Sequence, residues 1–235
     1  MKRVNYNLSN DIPITVERTR RKKTASIQIN NGRVRVLVPR HMREREIRDL
    51  IARKTDWIEK TTRIHAGLTP AVRRAYVDDE CFRYLGQEYR LKLIRGVDEP
   101  VTLKRGYLSV GLGPGDPDRE SIRERLVDWY TSHALDWLQR RTAELAEVIG
   151  TRPASVAVKS YKSRWGSCTS DGRITYNWKI IVAPPEIVDY VVVHELCHLL
   201  ELNHSPAYWD LVRRVCPEYR DAKKWLRENG HLLEV

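Results

Sequence analysis

Apolar residues recur along this chain in two rhythms, and the changes of rhythm mark out its elements. Over residues 12–39 the pattern alternates: Ile12-Pro13-Ile14-Thr15-Val16-Glu17-Arg18, then Ala25-Ser26-Ile27-Gln28-Ile29, then Val34-Arg35-Val36-Leu37-Val38-Pro39. A two-residue period sends every second side chain to one face, so these segments read as strands, with Asn30-Asn31-Gly32 as a hairpin turn. Between Arg43 and His65 the spacing lengthens to threes and fours (Ile47, Leu50, Ile51, Trp57, Ile58, Ile64). That spacing predicts one helix, closed by Gly67 and Pro70. Alternation then returns over Phe82–Ile94 and Val101–Val110, as hairpins turning near Gly86 and at Arg105-Gly106.

Gly111-Leu112-Gly113-Pro114-Gly115-Asp116-Pro117 is the strongest punctuation in the sequence. A long helix from about Arg119 to Ile149 follows it, with Ile122, Leu126, Trp129, Tyr130, Leu135, Leu138, Leu145 and Ile149 as its apolar stripe. Ser155–Lys159 and Arg173–Trp178 read as strands, with a turn at Ser170-Asp171-Gly172. Pro184-Pro185-Glu186 starts an apolar helix, since Pro suits the first turn and an acidic residue there suits the helix dipole. Ser205-Pro206 begins another helix that Cys216-Pro217 ends, and a last one runs from Tyr219 to Glu228, before Asn229-Gly230. The fold class is α+β: a β-rich N-terminal region with one helix over 1–115, and a second region over 116–235. No internal repeat is visible.

At 235 residues, 41% hydrophobic and 31% charged, the chain has the make-up of a soluble globular protein with a sizeable core. No apolar run is long enough to span a bilayer, and Met1-Lys2-Arg3-Val4-Asn5-Tyr6-Asn7 lacks a signal peptide's apolar core, so a cytoplasmic location is expected. Cys81, Cys168, Cys197 and Cys216 are scattered, form no C-x-x-C pair and read as reduced thiols. A net charge of +11 suits an anionic partner, nucleic acid or nucleotide, and is open equally to a simple solvated basic surface. Arg18-Thr19-Arg20-Arg21-Lys22-Lys23 is the densest basic patch, open to phosphate contact or to solvation as a loop.

The chemistry concentrates in Val191-Val192-Val193-His194-Glu195-Leu196-Cys197-His198 and the residues just after it. Four residues of α-helix advance by roughly 400°, so His194 and His198 stack on one face and can share an ion. Glu195 lies about 100° further round, where it can take a proton from a water. A turn then delivers His204 as a third ligand, with Glu201 the other candidate. Zinc suits neutral imidazoles, and three protein ligands with one open position mark a catalytic site. The surroundings (Ile187, Val188, Val191, Val192, Val193, Leu196, Leu199, Leu200) are apolar, so two imidazoles and a carboxylate would be costly to bury unpaired. Three of the seven histidines fall in this one stretch.

Such a site suits amide hydrolysis, with the strand before the helix lying along the cleft and offering its edge to an extended peptide. Arg164 and Trp165, just ahead of that strand, are candidates for orienting substrate; core packing for Trp165 and an ion pair for Arg164 are equally open. The same chemistry could serve nucleotide phosphoanhydrides, and a basic nucleic-acid-binding module with structural zinc is a third reading.

The set Ser163-Arg164-Trp165-Gly166-Ser167-Cys168, Tyr176-Asn177-Trp178, Ala183-Pro184-Pro185, Asp189-Tyr190-Val191-Val192-Val193-His194-Glu195-Leu196-Cys197-His198 and Asn203-His204-Ser205 with Trp209 closely resembles the YgjP-like metallopeptidase family, related to SprT-type zinc proteases. The resemblance is dense from about Pro153 to Leu226 and looser over the N-terminal strands. It implies a zincin-like core of a small antiparallel sheet and an active-site helix over 116–235. It also implies His194, His198 and His204 as zinc ligands, Glu195 as general base, and a protein or peptide substrate.

Overall fold

The computed structural model describes residues 3–7, 12–30, 33–66, 74–115 and 118–235. Two compact units, Met1–Pro70 and Ala71–Val235, each enclose an apolar core of their own.

The first unit holds β1 (Arg3–Asn7), β2 (Pro13–Thr19), β3 (Ser26–Asn30) and β4 (Arg33–Pro39), followed by α1 (Glu44–Arg53) and α2 (Thr55–Ala66). Its sheet runs β1-β2-β4-β3, with β2 and β4 parallel and the outer pairs antiparallel. The alternation puts Ile14, Val16, Val34, Val36 and Val38 in one buried cluster with Ile47, Ile51 and Ile58 of the helices. The expected turn at Asn31-Gly32 and the helix-closing Gly67 and Pro70 lie outside the described residues.

The single helix expected over Arg43–His65 is broken at Lys54, whose φ of −113° and ψ of 6° leave the helical region. Thr55 Oγ1 donates to the Ile51 carbonyl at 3.1 Å, competing with the backbone ladder. A straight helix over that stretch would reach about 35 Å, beyond seven-residue strands of about 23 Å. The break keeps Ile58 in the cluster. In the basic patch, Arg18 Nη1 donates to the carbonyls of Arg40 (2.8 Å) and Met42 (2.7 Å), a structural tie, whereas Arg20, Lys22 and Lys23 are exposed.

The second unit opens with β5 (Cys81–Tyr84), β6 (Gln87–Arg95), β7 (Thr102–Lys104) and β8 (Tyr107–Leu112), ordered β5-β6-β8-β7 with a parallel central pair. The strand order and directions of the first sheet are thus repeated, although no sequence repeat announces it. Then come α3 (Arg119–Ile149), β9 (Ser155–Lys159), β10 (Gly166–Cys168), β11 (Arg173–Asn177), a 3-10 turn over Trp178–Val182, α4 (Pro185–Cys197), α5 (Pro206–Val215) and α6 (Tyr219–Asn229). Asp118 caps α3 by accepting from Ser121 N–H at 2.8 Å, and Gly150 ends it in the left-handed conformation.

The expected boundary near residue 115 falls inside this unit. Phe82, Leu91, Leu108, Val110 and Leu112 are buried in the same core as Leu126, Tyr130 and Leu138 of α3. A four-stranded sheet with one apolar face needs a partner layer, and the long helix is part of that core. Tyr130 O–H donates to the Arg83 carbonyl at 2.8 Å. The tip of the β5–β6 hairpin also docks just ahead of α4, with Leu85 N–H donating to Ile181 O at 2.7 Å. Only glycine suits that tip: Gly86 has φ of 74°, and a Cβ there would sit 2.9 Å from Pro184 Cα. The Gly-Pro segment is a connection within the unit, with Asp116 and Pro117 outside the described residues. Among the described residues, no helix is long and apolar enough to cross a membrane.

Leu138, with no exposed surface, sits in this shared core. Leu138→Ala is expected to lower stability by about 2–5 kcal/mol through lost burial and the cavity left behind. Urea denaturation checks this; a loss under about 1 kcal/mol would show that the core does not depend on α3 as described.

Candidate metal centre

Helix α4 is apolar on almost every side: Ile187, Val188, Tyr190, Val191, Val192, Val193, Leu196 and Cys197 are all buried. Its orientation is locked from α3, where Arg141 Nε and Nη2 each donate to a carboxylate oxygen of Asp189 at 2.7 Å. The planar guanidinium matches that bidentate geometry.

The last turn of α4 carries His194 and Glu195, and His198 stands at its C-cap. The chain reverses, and Ser205 caps α5 by accepting from Tyr208 N–H at 3.2 Å. Buried Tyr208 donates its hydroxyl to the His194 carbonyl at 2.9 Å and stacks its ring on His198, centroids 4.6 Å apart. Trp209 stacks on His204 at 5.6 Å. The start of α5 therefore holds the turn so that the ligating atoms of His194, His198 and His204 lie within 4.8 Å of one another. The backbone carbonyl of Glu201 accepts from His198 Nδ1–H at 3.1 Å.

The donor set fits a borderline divalent cation. The bond to Glu201 leaves the lone pair of His198 on Nε2. His194 Nε2 and His204 Nε2 face each other at 3.2 Å. Two nitrogens bound at about 2.0 Å in a tetrahedral shell stand about 3.3 Å apart. His194 Nδ1 is buried without a hydrogen-bond partner, so that ring's polar partner has to come at Nε2. Burial pushes the pKa of His194 down to about 3, helped by the charges of His198 and His204, and burial also lowers that of His204. Both imidazoles are therefore neutral near pH 7, as metal coordination requires.

Glu195 is only 5% exposed. Its carboxyl is pushed up to about 8 by burial, against the opposing pull of the Arg164 guanidinium. The carboxylate rests on the backbone of β10 at Gly166: a Cβ there would lie 2.6 Å from Glu195 Cγ and 2.7 Å from Cδ, and would overlap Oε1 as well. Sequence reasoning passed over this glycine. Its signal was a Gly inside a short strand, which marks a close approach of another group.

The strand arrangement corrects one expectation. The strand before the active helix, β11, is central in its sheet, with β10 on one side and β9 on the other. Both rows of its backbone groups are taken, and it cannot accept a peptide. Among the described residues the free edge beside Glu195 belongs to β10, a three-residue strand too short for alternation to mark in the sequence. Arg164 and Trp165 lie immediately ahead of β10. Arg164 is exposed, forms no ion pair among the described residues, and stands 5.7 Å above the Tyr161 ring. The Trp165 ring instead packs against the core and lies so close to Gly230 that a Cβ there would be 2.9 Å from its Cζ2.

Asn177, also missed, holds this loop. It is 4% exposed, and its Nδ2 donates to the carbonyls of Tyr161 (3.2 Å) and Arg164 (3.3 Å). Its backbone N–H donates to Trp165 O at 2.8 Å. Tyr161 and Ser167 share a hydroxyl hydrogen bond of 2.5 Å across the loop.

Residues 23–229 match the YgjP-like metallopeptidase domain. The chain belongs to the YgjP-like metallopeptidase family. No curated protein matches it. Among solved structures it is similar to the metallopeptidase zymogen abylysin of Pyrococcus abyssi, at 22% identity and a TM-score of 0.35, over 37% of this chain and 89% of that one. The match to the YgjP-like family runs through both compact units and includes all three histidines, Glu195 and Gly166.

Gly166→Ala is expected to destabilise the protein by about 1–3 kcal/mol through overpacking. Glu195→Ala removes the atoms in the way, so the double variant should recover most of that loss. Additive losses in urea denaturation would show that Gly166 does not make room for Glu195.

Proposed function

We propose that the chain is a zinc-dependent peptidase with a zincin-like site, in which His194, His198 and His204 hold the ion. The observation that carries this reading is the convergence of three imidazoles next to a buried carboxylate on the same helix turn. Zinc supplies Lewis acidity, acidifying water and polarising a carbonyl. Glu195 takes the proton of the attacking water and delivers it to the leaving amine. Burial raises its pKa, which makes the carboxylate a stronger base toward that proton. Gly166 keeps the carboxylate close to the strand, and the edge of β10 offers backbone groups to an extended substrate in the manner of an added strand. Arg164 places positive charge at the mouth, where it can face the carbonyl oxygen as charge develops. The four cysteines are free thiols, which suits a reducing, cytoplasmic setting.

A second reading, hydrolysis of nucleotide phosphoanhydrides, draws on the net charge of +11 and on the unpaired Arg164 beside the site. Phosphate release from nucleoside triphosphates that disappears in Glu195→Gln, with denatured protein left intact, would replace the first reading by the second.

For the peptidase, Glu195→Gln is expected to lower cleavage of denatured protein by at least about a hundredfold while zinc content stays at the wild-type level. His194→Ala, His198→Ala and His204→Ala should each lose most of the zinc in elemental analysis. Cleavage unchanged in Glu195→Gln removes the proposal. Full zinc content in His204→Ala would move the third ligand to another residue, Glu201 first.

A further inference from the structure

Beyond the histidines, α6 carries Arg220, Lys223, Lys224 and Arg227 at helical spacings of three and four, so all four share one face. Together with Trp209 and Tyr219 they line a groove of about 570 Å³. Trp209, which lines the groove, also stacks on His204. Lys223 is close enough for its charge to act on both His194 and His204. Its Nζ lies 4.6 Å over the Trp209 ring, and the Arg220 guanidinium lies 5.7 Å over Tyr219.

All four cations are exposed. Arg227 pairs with Glu228 at 3.4 Å, but Arg220, Lys223 and Lys224 have no carboxylate partner among the described residues. Elsewhere on this unit some exposed arginines, such as Arg83 and Arg213, have one, and others, such as Arg152 and Arg214, do not among the described residues; what sets the α6 cations apart is that they line one groove together. Three unpaired cations beside one groove repel each other, and an anion entering it relieves that repulsion.

We infer that this groove binds acidic side chains of the protein substrate, on the part of the polypeptide that runs past His204 and along α6. This rests on the peptidase reading above and specifies its substrate class. The cationic stripe from Arg220 to Arg227 spans about 10 Å, the length of about three residues of extended chain. Trp209 already has His204, Tyr219 (5.2 Å) and Lys223 against it, which leaves little ring surface for a nucleobase to stack on. A polypeptide seated at the metal centre, by contrast, has to continue past its walls, and the wall beyond Trp209 is cationic.

The test measures binding apart from hydrolysis. Zinc-loaded full-length Glu195→Gln protein is titrated, by fluorescence anisotropy, into a labelled peptide bearing a run of glutamates and into its glutamine counterpart. The glutamate peptide should bind at least about tenfold more tightly. Adding Lys223→Gln and Lys224→Gln should bring the two peptides to within about twofold. Arg220→Gln with Lys224→Gln, which leaves the contact with Trp209 untouched, should move the ratio the same way. Equal binding of the two peptides by the intact groove overturns the inference, as does a preference that survives both double variants. Oligothymidylate binding more tightly than the glutamate peptide, and weakened by the same variants, overturns it in favour of nucleic acid. Failure of the peptidase reading is seen separately, as intact denatured protein in the wild-type cleavage assay, and it leaves the binding ratio measurable.

Discussion

A carboxylate nearly withdrawn from water has to be accommodated somewhere, and in this protein it lies against backbone. Glu195 rests on β10 at Gly166, in space that any other residue's Cβ would take. Much of the surrounding architecture follows from that contact. Strand β10 must run beside α4, so the loop ahead of it must be held in place, and Asn177 does so with its buried amide. Helix α4 in turn must not rotate, because a turn of a few tens of degrees would drive the carboxylate into the strand or away from it. The Arg141–Asp189 pair and the apolar surface around the helix resist such rotation.

The same burial shapes the electrostatics. Removing water raises the cost of charge on Glu195 and on His194 alike, pushing the pKa of the acid up and that of the imidazole down. The lowered pKa of His194 and the raised pKa of Glu195 therefore have one physical origin, burial in the apolar packing of α4. Arg164 works against it from the exposed side, pulling the carboxyl back toward ionisation. Farther out the balance is different: α6 presents four cations to solvent, three of them without a carboxylate partner among the described residues. Glu195 is thus buried at the centre of the site, while one wall is basic.

The two sheets of like order, one in each compact unit, show how little the strand pattern says about grouping. Both are hairpin pairs joined through a parallel centre. The second shares a core with α3 and α4, while the first closes on its own helices. Glycine-proline punctuation looked like a boundary because turns and linkers use the same residues. What separates units is where apolar surface is buried, and that is not a local property.

Much of the chain was legible from order alone wherever a local period sets the geometry. Alternation marked the strands of both larger sheets except β1, and three-and-four spacing marked α3 end to end. The i, i+4 relation put His194 and His198 on one side of α4, since side-chain direction follows directly from helical pitch. Lys54, by contrast, breaks a helix whose spacing carries on unchanged, because the sheet beneath it is shorter than the helix would be. The convergence of His204 on the other two histidines depends on Tyr208 and Ser205 at the start of α5, through contacts that no spacing rule contains. Gly166 beside Glu195, β10 rather than β11 as the open edge, and Trp165 packed on Gly230 were likewise decided only in three dimensions. Each depends on the shape and depth of a neighbour distant in sequence, and periodicity encodes direction within an element, not what that direction meets.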